Sequence, residues 1–357
     1  MPIATPYRLY AATGDAVARV DNVLGDAPRV TLSAEGSGAQ CVAVDPRDPD
    51  RVFAGTFDDG LLCSADGGRT WARTGATDIP HSRVLSVAVS PSHVVDGKGV
   101  VYAGTEPSAL YRSADDGATW RDFPALLSLP SAPTWSFPPR PWTSHVRWIA
   151  PHHADPALLF VGIELGGVMR STDGGETWED RKPGAQPDSH ALATHPRDHD
   201  RVYEAAGGGV AFSRDRGATW APADVGMDRH YAWGLAVDPA DPDLWYVSAS
   251  FGPHLAHSQT RHSQGVLYRM WGTGPWEPLG TPDGAATSTD GPEAPLQMPN
   301  ADMPYALLTL PDRPNTLIVG LRSGALLVSD DAGESFHAIP LDRPIPGLLA
   351  LSAAPVS

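Results

Sequence analysis

Cysteine is scarce in this 357-residue chain, which has two, Cys41 and Cys63. Both fall on strand-like segments of one repeat unit and lack the C-x-x-C spacing of a redox or zinc motif. They read as small buried hydrophobes rather than as a disulfide or a metal pair. Basic charge is also short: 26 Lys and Arg stand against 42 Asp and Glu, for a formal net charge of -16, and no polybasic run occurs. That balance argues against nucleic acid or an anionic membrane as partner, since either needs a basic face. No apolar stretch is long enough to span a bilayer. The opening MPIATPYRLYAATGDAVARV lacks the basic segment and sustained apolar run of a secretory signal, so the expected location is the cytoplasm.

Turn-forming residues, by contrast, are plentiful, with 36 Gly and 36 Pro, and one eight-residue phrase recurs. Ser171 to Trp178 reads STDGGETW, Ser64 to Trp71 SADGGRTW, Ser113 to Trp120 SADDGATW, Ser213 to Trp220 SRDRGATW, and Ser329 to Phe336 a worn SDDAGESF. The pattern S-x-D-x-G-x-T-W encodes a hairpin turn. Asp accepts backbone N–H bonds within the turn, Gly takes a positive φ, the hydroxyls tie the ends together, and the Trp anchors the hairpin in a core. An alternating apolar strand precedes each of the four intact boxes, as in Gly167-Val168-Met169-Arg170, so the box joins two antiparallel strands.

This phrase resembles the Asp-box, or BNR, repeat of sialidases, xyloglucan-cleaving glycosidases, sortilin-type receptors and photosystem II assembly factors. The resemblance implies an all-β propeller of four-stranded antiparallel blades. It puts each box between the third and fourth strands, on the face opposite the active site. Asp66, Asp115, Asp173, Asp215 and Asp331 are then structural and not catalytic acids. A true sialidase is not expected: its early Arg-Ile-Pro motif is missing near the N-terminus, and Arg343-Pro344-Ile345-Pro346 lies at the wrong end. The xyloglucan-cleaving enzymes use two tandem propellers and this chain has length for one. The assembly factors carry a basic patch that is not found here.

The gap between Ser213 and Ser329 hides one unit without a box. Gly234 to Pro239 matches Cys41 to Pro46, and Leu267-Tyr268-Arg269 followed by Trp276 matches Leu110-Tyr111-Arg112 followed by Trp120. Inner strands are expected at 40–45, 85–90, 145–150, 190–195, 233–238 and 305–310. The N-terminal strands near Leu9 to Thr13 and Ala16 to Val20, with an inner strand from the tail near Gly347 to Leu351, supply one more blade. The expectation is therefore a single propeller domain over 1–357 with seven blades, six being the alternative, closed by strands from both ends. Three enlarged connections, 123–143, 251–265 and 280–303, emerge on the face away from the boxes. Loops enlarged on one face of a rigid repeat scaffold line a binding site.

Aligned on the Pro that ends each inner strand, Gln40, Leu85, His145, His190, Trp233 and Tyr305 share one position at the channel mouth. His81, Arg83, His230, Tyr231 and Arg147 lie beside it. Second strands end at the same level with Glu106, Glu164 and Arg322. Two chemistries fit this set. One is acid–base hydrolysis by Glu164 and Glu106 with Tyr231, on a substrate held by Arg83, Arg147, His230, Trp233, Tyr305 and Arg322. The other is a divalent metal held by His145 and His190 with Glu164. His254, His257 and His262, in a Ser- and Gln-rich segment, read as a solvated loop. Three functions stay open: a hydrolase acting on a small polar or glycan-like substrate, a non-catalytic propeller binding a protein or ligand through its top face, and a metal-dependent enzyme.

Overall fold

In the computed structural model, which describes residues 5–258, 262–279 and 302–356, the short apolar strands form seven antiparallel sheets among the described residues. Each inner strand packs beside that of the next sheet and the last beside the first, so the sheets close a ring. Blades 1 to 6 start from the inner strands Ala39–Asp45, Arg83–Val95, Val146–Pro151, Ser189–Thr194, Tyr231–Val237 and Pro304–Leu310. Blade 7 is assembled from both ends: Ala350–Pro355 is innermost, followed outward by Tyr7–Ala12, Val17–Asp21 and Arg29–Ser33. The chain is thus a seven-bladed β-propeller. Two details differ from expectation. The innermost strand of blade 7 starts at Ala350, because Leu348 and Leu349 are still crossing over, their amides bonded to the carbonyls of Arg322 and Ala12. Blade 3 has three strands, its fourth reduced to a bridge between Arg170 and Glu179. The expected insertion at 280–303 lies, up to residue 301, outside the described residues.

Second strands explain the close fit of the blades. Phe53, Tyr102, Phe160, Tyr203, Tyr246 and Tyr10 occupy corresponding places on six of them and are fully buried between sheets. Two residues after Phe53, Gly55 faces blade 2, where an added Cβ would collide with the Val84 carbonyl. Glycine lets the next inner strand approach.

The boxes close the third-to-fourth-strand hairpins as expected. In the third, Asp173 Oδ1 accepts from the Thr177 amide at 2.9 Å and the Ser171 hydroxyl at 2.8 Å, while Oδ2 accepts from the Thr177 hydroxyl at 2.5 Å. Asp66, Asp115, Asp215 and Asp331 make the same set. Gly175 holds φ +97° and Gly174 +75°, a left-handed pair.

A second device sits at the foot of the inner strands. Asp45 accepts from the Arg47 amide with one oxygen and from Gly99 of blade 2 with the other. Asp238 accepts from Ala240 and Asp241, and from Asn315 of blade 6. In blades 3 and 4 histidine takes this place. His152 Nδ1 accepts from Ala154 and Asp155 while its Nε2–H donates to the His199 carbonyl of blade 4. His195 likewise accepts from Arg197 and Asp198 and donates to the Asp238 carbonyl of blade 5. Each pins its own turn and the next blade at once. Cys41 is buried and Cys63 half-buried, both as free thiols.

Candidate functional site

Where an inner strand begins, at the mouth of the channel, its ladder slips. The pairing skips Gln40, Leu85, Arg147, His190 and Tyr305, and the Trp233-Gly234 pair in blade 5. A residue dropped from the ladder is re-aimed by the local twist, here toward the axis. Leu349, just ahead of the strand, fills this place in blade 7. All of these side chains except that of His190 line one cavity of about 850 Å³, roofed by Phe137 to Arg140 and by Pro253, His254 and His257 from two of the enlarged loops. His190 lies behind the wall, fully buried against the rings of Tyr231 and Trp233.

The bulges correct one expectation. In blade 3 the residue equivalent to Gln40, His190 and Trp233 is Arg147, not His145. Alignment on Pro151 misplaces the register, because the residue that plays the part of Asp45 in blade 3 is His152. His145 also reaches the cavity, from just before the strand, where its Nε2 lies 3.0 Å from Glu164 Oε2.

Glu164 follows the second strand of blade 3, Leu159–Ile163, and lines the cavity beside Asp188. Burial opposes its ionisation, but the His145 hydrogen bond, with the nearby Arg147 guanidinium adding to it, outweighs burial and holds the carboxyl at about 2. It is a carboxylate, fit to act as base, ligand or charge partner but not as proton donor. Asp188 is held by the Leu165 amide, which donates to its Oδ1 at 3.0 Å, and lies 3.5 Å from His190 Nε2. The ligand atoms of Glu164, Asp188 and His190 lie within 4.8 Å of one another, and His145 is not one of the group. The expected His145 and His190 pair is therefore divided, with His145 bracing Glu164 and His190 facing Asp188.

The adjoining wall, on blades 5 and 6, is aromatic. Tyr231 and Tyr305 hydrogen-bond, each at 2.9 Å, to Nε2 and Nδ1 of the same ring, His257. Burial, with the nearby Arg147 guanidinium adding to it, lowers His257 to about 4. The ring is neutral, so it donates to one phenol and accepts from the other. Burial, with Glu164 and Asp188 adding to it, pushes the Tyr231 phenol well above its usual range, which leaves it a hydrogen-bonding group and no phenolate nucleophile. Trp233 sits between the two tyrosines with the Arg147 guanidinium 4.4 Å above its ring, a cation–π arrangement at the cavity wall.

Other candidates lie elsewhere. Glu106 is buried beneath the roof, where Arg140 grips it with two bonds of 2.6 and 2.5 Å and Arg83 adds a third at 3.1 Å. It lines, with Arg83, a separate cavity of about 430 Å³. The expected convergence of Glu106 with Glu164 is thereby corrected: its carboxylate holds the 123–143 loop down on blade 2. Arg322 lies behind Tyr305, 4.8 Å from that ring, and His230 is exposed, 3.9 Å from Asp224. Asp188, Arg140 and His257 were missed in the sequence. Asp188 had a signal, its D-x-H spacing ahead of His190. Also missed was Glu204, a fully buried carboxyl that burial pushes up to about 8 and that accepts from the Gln186 amide just ahead of Asp188.

Fold, boxes and site define the class: the protein is a seven-bladed Asp-box β-propeller with its cavity on the face away from the boxes. The family model that matches is the BNR/Asp-box repeat, over residues 169–180. Curated proteins give no match to the chain. Among solved structures, an ancestral GH74 enzyme is 16% identical with a TM-score of 0.59, covering 92% of this chain and 38% of its own. The GH74 xyloglucanase from Xanthomonas campestris is 17% identical at 0.57, with 93% and 47% covered. This chain thus spans less than half of either enzyme. YCF48 bound to D1 peptide is 18% identical at 0.54, with 83% and 79% covered. At such identities the likeness is one of fold.

Proposed function

We propose that the channel-mouth cavity binds a small polar, glycan-like ligand. The observation that carries this reading is the composition of one wall-to-wall space. Tyr231, Trp233 and Tyr305 line it together with the carboxylates of Glu164 and Asp188, with the Arg147 guanidinium over Trp233, in a volume suited to a small molecule. Sugars offer apolar C–H faces to aromatic rings and hydroxyls to carboxylates and arginine. Hydrolysis is a second reading, favoured by the nearness of Glu164 and Asp188, which makes a pair of carboxylates available where Glu106 is not. The GH74 neighbours keep that reading open, and the peptide-bound neighbour supports binding without chemistry.

The test is a thermal-shift and calorimetric screen of mono- and oligosaccharides, xyloglucan fragments included, on the whole chain. At least one sugar is expected to bind, and Arg147→Ala to weaken it about tenfold or more, since a desolvated cation–π and charge contact is lost. Release of new reducing ends by the parent and not by Asp188→Asn would add hydrolysis. A screen in which nothing binds, or in which Arg147→Ala binds as the parent does, removes the reading.

A further inference from the structure

His190 carries an unusual demand. Its side chain is fully buried, and its Nδ1 lies 2.7 Å from the Ala232 carbonyl oxygen. A carbonyl can only accept, so Nδ1 bears a proton, and in the neutral ring Nε2 presents a lone pair. That Nε2 has no hydrogen-bond partner among the described residues. It faces Asp188 Oδ2 at 3.5 Å, and Glu164 completes a group whose ligand atoms are within 4.8 Å of one another. Two carboxylates and an imidazole lone pair converging in a half-buried place are mutually repulsive unless a positive centre lies between them.

We propose that Glu164, Asp188 and His190 Nε2 are a three-ligand site for a divalent cation, with its remaining coordination positions toward the cavity. The surroundings match. A backbone carbonyl fixes the tautomer of His190, His145 donates to Glu164, and the Leu165 amide donates to Asp188, so every ligand is oriented by a second partner, as metal ligands are. Two carboxylates neutralise a 2+ charge. The mixture of imidazole and carboxylate favours manganese, iron or zinc over calcium and magnesium, which take oxygen alone. The bulge at His190 is what makes the site: an unbroken ladder would turn this side chain away from Asp188. The proposal uses the same cavity as the ligand-binding reading and does not depend on its ligand.

The experiment uses the whole chain stripped with a chelator and titrated with Mn²⁺, bound ion being read from loss of the free-ion electron paramagnetic resonance signal. Zn²⁺ is titrated by calorimetry in parallel. One equivalent is expected to bind. Asp188→Asn, which can still accept from the Leu165 amide, should bind at least about tenfold more weakly, and His190→Gln should not bind. His230→Ala, exposed and outside the cavity lining, should bind as the parent does. If His190→Gln fails to fold, Asp188→Asn decides. Absence of stoichiometric binding by the parent, or unchanged affinity in folded Asp188→Asn, overturns the proposal and leaves a proton on His190 as the positive centre. Mn²⁺ binding by a protein that ignores every sugar keeps the metal site and removes the ligand reading. Sugar binding with no metal bound does the reverse.

Discussion

At the foot of blades 3 and 4, His152 and His195 do with an imidazole what Asp45 and Asp238 do with a carboxylate. The substitution reverses one bond, since aspartate accepts from the next blade's amide and histidine donates to its carbonyl. It also brings a pH dependence. Both rings are buried neutral, and burial lowers their proton affinity below the ordinary 6.5. The unfolded chain therefore takes up protons that the folded one refuses. The stability held above about pH 6.5 is lost as the pH falls below it, at about 1.4 kcal/mol for each tenfold of lost affinity. Melting temperature should drop on acidification through this range, and His195→Asn, which keeps an acceptor and a donor but does not titrate, should drop less; identical slopes would contradict this account. The same residues show how far the site was legible. Gln40, His190, Trp233 and Tyr305 could be placed from strand register alone. His145 stood in for Arg147 because His152 hides the Asp-like turn behind an unrelated side chain. His257 looked solvated because its partners, Tyr231 and Tyr305, come from two other segments, and no local pattern announces such a contact.

The Asp box is the element that announced the fold, because the bonds made by its Asp and its first Ser are local: turn, cap and hydroxyl ties fall within eight residues and so are written in the spacing. In the third box, Asp173→Ala removes three hydrogen bonds at a partly solvated turn. The expected loss is about 1–2 kcal/mol in urea unfolding, with Mn²⁺ affinity at the far face unchanged. A variant that unfolds like its parent yet loses the ion would place the box at the site instead. The enlarged loops were legible as insertions but not as what they became. The 123–143 segment folds into two short 3₁₀ turns and carries Arg140 to the buried Glu106. That pairing depends on a carboxylate in another strand, which sequence spacing cannot bring near.

For the whole molecule the decisive feature is the shared blade. Ala350–Pro355 pairs along its length with Tyr7–Ala12, and Leu348 and Ala354 are fully buried. Removing residues 347–357 should leave the Tyr7–Ala12 edge and its apolar surroundings open. The shortened chain should elute as oligomers or melt far below the parent in size-exclusion and calorimetric runs, and a monomer melting like the parent would refute the closure. The seven-blade count was legible because both ends retain a blade's strand pattern, although only together do they make one. Joining strands so distant costs the finished fold little, since the entropy of closing a loop grows by only about 0.6 kcal/mol per doubling of its length. Time is another matter. On the ribosome, Tyr7–Ala12 emerges roughly 340 residues before the Ala350–Pro355 strand that pairs with it. Until that strand is made it has an unpaired inner edge, ready to bind any extended stranger, so the clasp that later makes the ring secure is also the last joint of blade 7 to close.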